Sequence, residues 1–184
     1  MTDEAALLEA ARRYDADALA TIFDQYAPAL YKYAFNLCHN SAEADNIVGD
    51  AFAQLLEHLA AGKGPRTNLR SYLYQITYHI VINRIRYYAY RISQLDEVAN
   101  VRSHETSVHG QIEDLELMGM LRSALMNELT DDQRHVVVLR FLEGFSLQET
   151  ASITGKSVTA VKLLQNRGIA KLRQVLDESR SRTR

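Results

Sequence analysis

The chain has 184 residues, 47% of them hydrophobic and 24% charged, with a formal net charge of −2. That is ample for a buried core, and no apolar run approaches the roughly 20 residues a membrane-spanning helix needs, which excludes insertion by such a helix. A single cysteine, Cys38, excludes an internal disulfide and predicts a reducing, cytoplasmic setting, and the acidic opening MTDEAALLEAARRYD predicts no signal peptide.

From Asp17 to Leu37 the apolar residues Leu19, Ile22, Phe23, Tyr26, Leu30, Tyr33, Ala34 and Leu37 recur at three and four, predicting an amphipathic helix. CHNSAEA interrupts the pattern, with Ser41 the expected N-cap of a second helix. That helix carries Ile47, Val48, Ala51, Phe52, Leu55, Leu56 and Leu59 on a broad face. Gly62, Gly64 and Pro65 in AAGKGPRTN end it.

Residues 70–91 hold six tyrosines and four arginines without one acidic residue. Ile76, Tyr78, Ile80 and Ile82 alternate with Gln75, Thr77, His79 and Asn83, so a strand is a fair local reading. Leu73, Ile76, Ile80 and Val81 also fit a helical face, and the run is too long for a typical strand of about 5–6 residues. A helix is expected.

Residues 92–115 lose periodicity and turn polar, the signature of an acidic linker and a domain boundary. Leu117, Leu121, Ala124, Leu125 and Leu129 then mark a helix. Thr130 to Gln133 forms a capping box that opens the next one, carrying Val136, Val137, Leu139, Arg140 and Leu142 up to a break at Gly144. Ser146 to Glu149 is a second capping box.

Within FSLQETASITGKSVTAVKLLQNRG the spacing is that of a helix-turn-helix. Ala151 supplies the small side chain a close helix crossing requires, and Gly155 the readily adopted positive φ of the turn. Ser157 caps the following helix, with Val161 and Leu164 directed inward. Ser157, Thr159, Lys162, Gln165, Asn166, Arg167 and Lys171 are the amide, hydroxyl and cationic groups suited to base edges and phosphates. A helical hairpin that binds no DNA is the alternative.

The distribution of charge weighs against that alternative. Residues 61–91 carry +6 and residues 156–184 carry +6, whereas residues 1–60 carry −7 and residues 92–116 carry −5. Two cationic blocks in a slightly acidic chain suggest two surfaces for a polyanion. Six histidines and Cys38 show no paired metal-ligand spacing, so no metal and no cofactor is expected. No catalytic constellation is present.

Both halves resemble bacterial sigma factors of the extracytoplasmic-function group in the sigma-70 family, which direct RNA polymerase to promoters. LTDDQRHVVVLRFLEGFSLQETASITGKSVTAVKLLQNRGIAKLRQVL is similar to the family's −35-binding domain. Its Lys162-Leu163-Leu164-Gln165-Asn166-Arg167 run departs from the common Lys-Ser-Arg-Leu-His-Arg pattern, so no −35 base preference carries over. AEADNIVGDAFAQLLEH resembles the segment that docks on the clamp helices of the polymerase β′ subunit. There the resemblance implies contacts by Asp45, Asn46, Asp50, Gln54 and Glu57, with Asn46 and Gly49 departing from the usual Asp and Gln.

The tyrosine-rich stretch is similar to the family's promoter-melting and −10-reading helix, and GKGPRTN to the loop that holds a flipped-out −10 base. The resemblance implies strand contacts by Lys63, Arg66, Asn68, His79, Asn83, Arg84, Arg86, Tyr87 and Tyr88. Rings replace lost base stacking, worth about 1–3 kcal/mol per base, and arginines offset phosphate charge. Tyr74 and Tyr78 stay open between core and strand.

The expected architecture is all-α, with domains at 1–91 and 117–184 joined by a flexible acidic linker at 92–116. The implied partners are RNA polymerase core, through its β′ clamp helices and β flap, promoter DNA and an anti-sigma factor. The chain is expected to catalyse nothing. The alternative function is a helix-turn-helix regulator that acts without replacing a sigma subunit.

Overall fold

The computed structural model describes residues 4–94, 119, 121 and 123–182, which form two compact helical units. No strand occurs among the described residues, so the fold is all-α as the periodicity predicts.

The first unit contains α1 (Glu4–Arg12), α2 (Ala16–Cys38), α3 (Ser41–Ala60) and α4 (Leu69–Gln94). Asp15 caps α2 by accepting from the Ala18 N–H at 2.9 Å. Asn40, not Ser41, caps α3, its Oδ1 accepting from the Glu43 N–H at 2.9 Å. Asparagine serves that role as well as serine does, and the extended backbone falls one residue earlier than expected. The inward faces supply Ile22, Leu30 and Tyr33 from α2, Ile47, Ala51 and Leu55 from α3, and Leu69, Leu73, Tyr74 and Val81 from α4, all buried. Tyr33 and Tyr74 meet with ring centroids 5.2 Å apart. Buried positions on α4 recur at three and four, which settles its helical reading. Tyr74 and Tyr78 belong to the core.

The second unit contains helical residues at 119, 121 and 123–127, followed by α5 (Asp131–Val137), a π turn (Val138–Leu142), α6 (Leu147–Thr154) and α7 (Val158–Arg182). Both capping boxes form. Thr130 Oγ1 accepts from the Gln133 N–H while Gln133 Oε1 accepts from the Thr130 N–H, and Ser146 and Glu149 exchange the same pair of bonds. Gly155 takes φ +66° at the turn between α6 and α7. Val136, Ala151 and Val161 form one buried cluster with Leu147 and Leu164 against it, and Ala124, Leu125, Leu129, Val137 and Leu172 form another.

The π turn changes one expectation. Leu142, expected among the residues this helix carries up to Gly144, is exposed, as is Phe141. A π turn inserts an extra residue into the helical register, and the face that continues inward is carried by Leu139 and Phe145 instead. The acidic stretch 95–116 and Leu117 lie outside the described residues, and α4 runs to Gln94, beyond the point where periodicity fades.

Candidate nucleic-acid interface

Gly168 sets the spacing between α7 and α5, since a Cβ there would lie 2.9 Å from Val137 Cγ2. With that face buried, the opposite face of α7 is fixed toward solvent. Thr159, Lys162, Leu163, Asn166 and Arg167 are exposed on it. Ser157 is exposed and caps α7, its Oγ accepting from the Ala160 N–H at 3.2 Å.

Two expected contacts are partly engaged within the unit. Lys171 is half-buried and pairs with Glu128 at 3.3 Å. Gln165 Oε1 accepts from Arg140 Nε at 2.9 Å. Arg140 also donates from Nη1 to the Phe145 carbonyl, so one guanidinium links the π turn to the segment before α6 and to α7. Neither hydrophobic period nor motif spacing points to this pairing, because Arg140 and Gln165 meet across the fold. With its oxygen held, Gln165 presents its amide N–H groups, so it suits an acceptor edge of a base. Arg140→Ala is expected to free the Gln165 amide to rotate and so to broaden sequence preference in DNA binding, read by competition with a randomised duplex library.

In the first unit, Lys63, Arg66 and Asn68 are exposed on the loop between α3 and α4. His79, Asn83, Arg86 and Tyr87 are exposed along α4, and Tyr87 retains 56% of its surface. The Tyr88 side chain lies outside the described residues. Arg84 is placed differently from its neighbours. It donates to Glu43 Oε1 and to Asp50 Oδ2, each at 2.5 Å, so its charge is compensated by two carboxylates of α3. Arg84 thereby joins the tyrosine-rich helix to the face expected to meet polymerase.

That face is built on α3. Asn46, Asp50 and Glu57 are exposed and Gln54 is half-buried, and these four share one side of the helix. Asp45 is exposed about 100° away around the axis. An apolar groove lies between α2 and α3, lined by Leu19, Phe23, Phe52 and Leu56, with the two phenylalanine rings 4.8 Å apart.

Comparison with known families decides between a sigma subunit and an unrelated helix-turn-helix protein. Sigma-70 region 2 matches residues 22–91, and Sigma-70 region 4 matches residues 125–174. The ECF RNA polymerase sigma factor SigW of Bacillus subtilis is 30% identical over 182 residues, covering 90% of this chain and 92% of that protein. The chain belongs to the ECF sigma factors. BldN of Streptomyces coelicolor, another ECF sigma factor, is 28% identical across 94% of this chain, and the chain spans 65% of its length.

The same fold recurs in two solved structures. One is the sigma factor RpoE bound to the anti-sigma factor NepR from Bartonella quintana, with a TM-score of 0.70 and 21% identity over 86% of this chain and 96% of that one. The other is CnrH in complex with the cytosolic domain of CnrY, with a TM-score of 0.70 and 22% identity over 94% and 96% of the two chains. Among the described residues no helix of this sigma factor is long and apolar enough to cross a membrane, and no cluster of ligating side chains could hold a metal.

Proposed function

We propose that this RNA polymerase sigma factor places the core enzyme on promoters by gripping DNA at two separated elements. Residues 117–184 read the −35 element through α7, with Lys162, Asn166, Arg167, Thr159 and Gln165 at base edges and phosphates and Ser157 and Lys171 beside them. Residues 1–91 capture the opened −10 strand through Lys63, Arg66, Asn68, His79, Asn83, Arg86, Tyr87 and Tyr88, and Arg84 contributes once its carboxylate partners exchange. Asp45, Asn46, Asp50, Gln54 and Glu57 dock on the polymerase clamp, and the second unit meets the β flap. The single observation that carries the reading is the order of the two sigma-70 regions in one chain, each presenting an exposed cationic face.

The factor works in the cytoplasm, catalyses nothing itself, and is held in reserve by an anti-sigma partner. Support for that partner comes from the structural relative RpoE, which is held in a complex with the anti-sigma factor NepR.

The test is run-off transcription with purified core polymerase and a promoter library. Wild-type protein is expected to yield transcripts from a subset of promoters. Lys162→Ala and Arg167→Ala should each lower −35-dependent initiation by about tenfold, the effect of losing one good base or phosphate contact. Tight duplex binding without stable association with core would instead favour a regulator that never replaces a sigma subunit.

A further inference from the structure

The loop between α3 and α4 is the part of the first unit that would receive an unstacked base, yet short exposed loops rich in glycine are ordinarily mobile. This one is fastened from outside. Arg12 on α1 donates from Nη2 to the Pro65 carbonyl at 2.6 Å and to the Gly64 carbonyl at 3.3 Å. Four residues further along, Glu4 Oε1 accepts from the Leu69 N–H at 2.9 Å, satisfying one of the unpaired donors that open α4. The α1 helix is itself seated by Leu7, Leu8 and Ala11, all buried.

The loop answers these anchors with features of its own. Pro65 is buried, and Gly64 lies so close to Leu59 that an added Cβ would fall 2.5 Å from Leu59 Cδ2. Lys63 N–H donates to the His58 carbonyl at 2.8 Å. Asn68 adopts φ +56° and caps α4 by accepting from the Ser71 N–H at 3.2 Å. The anchored groups thus face the protein, while Lys63, Arg66, Thr67 and Asn68 face solvent.

We infer that Arg12 and Glu4 are positioning residues of the −10 reading device, holding residues 63–68 in the shape that accepts an extruded base. The inference rests on the proposed −10 role of this loop. Neither residue touches DNA; both act through backbone groups of the loop. A loop ordered in advance loses less conformational freedom on binding, and a fixed cradle discriminates between bases better than one that adapts. The α1 helix is therefore part of the specificity apparatus as well as of the core.

The experiment uses full-length protein in reconstituted holoenzyme, with initiation measured on promoters altered singly at the −10 and at the −35 element. Arg12→Ala is expected to reduce discrimination among −10 bases about fivefold to tenfold, leaving −35 discrimination and core affinity unchanged. Arg12→Lys should recover part of the loss, since an ammonium reaches one carbonyl at a time. Amide exchange at residues 63–68 should quicken in step. Should Arg12→Ala fail to fold, Glu4→Ala gives the same readout. A general loss of stability would lower initiation on every promoter alike, so an unchanged −10 ratio in both variants overturns the inference. A wild-type protein with no −10 preference would overturn the underlying reading, and this inference with it.

Discussion

Arg134→Ala is expected to destabilise the second unit by about 3 kcal/mol, because one buried guanidinium holds together the whole approach to the helix-turn-helix. Arg134 donates from Nε to the Leu125 carbonyl at 2.8 Å and from Nη2 to the Met126 and Leu129 carbonyls at 2.8 and 3.2 Å. These are the last carbonyls of the helical segment 123–127 and its exit turn, which have no partner within that segment. Nη1 completes the set with Asp131 at 3.2 Å. Burial pulls the Arg134 pKa below its ordinary value, with Asp131 acting in the opposite direction. The carbonyl bonds supply the remaining compensation for a charge removed from water.

Truncation to alanine strands three acceptors, each costing about 1–3 kcal/mol if water does not replace the lost donor. Partial hydration of the exit turn brings the sum down to the figure given. Native-state hydrogen exchange of the full chain, at the amides of 123–127 and Val136–Leu139, reads the loss locally. Arg134→Lys should keep one bond and recover less than half. A change below about 1 kcal/mol in the alanine variant would mean that solvent already serves these carbonyls. A loss of the expected size should also weaken −35 binding, since α7 is positioned by the contact of Gly168 with Val137.

Much of the fold was legible because it rests on local rules. Periods of three and four located α2, α3 and α4, two capping boxes located the starts of α5 and α6, and Gly155 marked the turn. The same rules chose helix over strand for the tyrosine-rich run, and the burial of Tyr74, Tyr78 and Val81 bears that out. What stayed hidden depends on residues that meet across the fold. Arg84 counts as a cation in any tally of the sequence, yet Glu43 and Asp50 approach it from 41 and 34 positions away. Arg12 reads as ordinary surface charge until the loop 52 and 53 positions further on is seen to return to it. Arg134 stands in the polar stretch DDQRH, where a capping box explains the first residues and conceals the two side chains, Arg134 and His135, that turn inward. The π turn was equally silent, since nothing in VLRFL forbids an ordinary helix.

Acid should weaken the same unit through His135. The imidazole is fully buried and its pKa is pushed down to about 3, first by burial and then by the nearby Arg134 and Lys156, with Asp132 opposing. In the unfolded chain the group titrates at about 6.5. Between these two values the unfolded state binds a proton that the folded state refuses, so stability rises with pH across the window and falls on acidification. Taking the unfolded pKa as the upper limit, moving from pH 7 to pH 5 is expected to remove about 2 kcal/mol, before most carboxylates begin to protonate. His135→Leu keeps an apolar side chain in the cavity and deletes the titration, so its stability should stay nearly flat over that interval. Urea unfolding followed by the methyl signals of Val136 and Leu139, at both pH values and for both proteins, isolates the difference. Equal losses in the two proteins would assign the acid sensitivity to other groups. A slope present only in the wild type would identify His135 as a core residue whose charge the DNA-binding unit cannot accommodate.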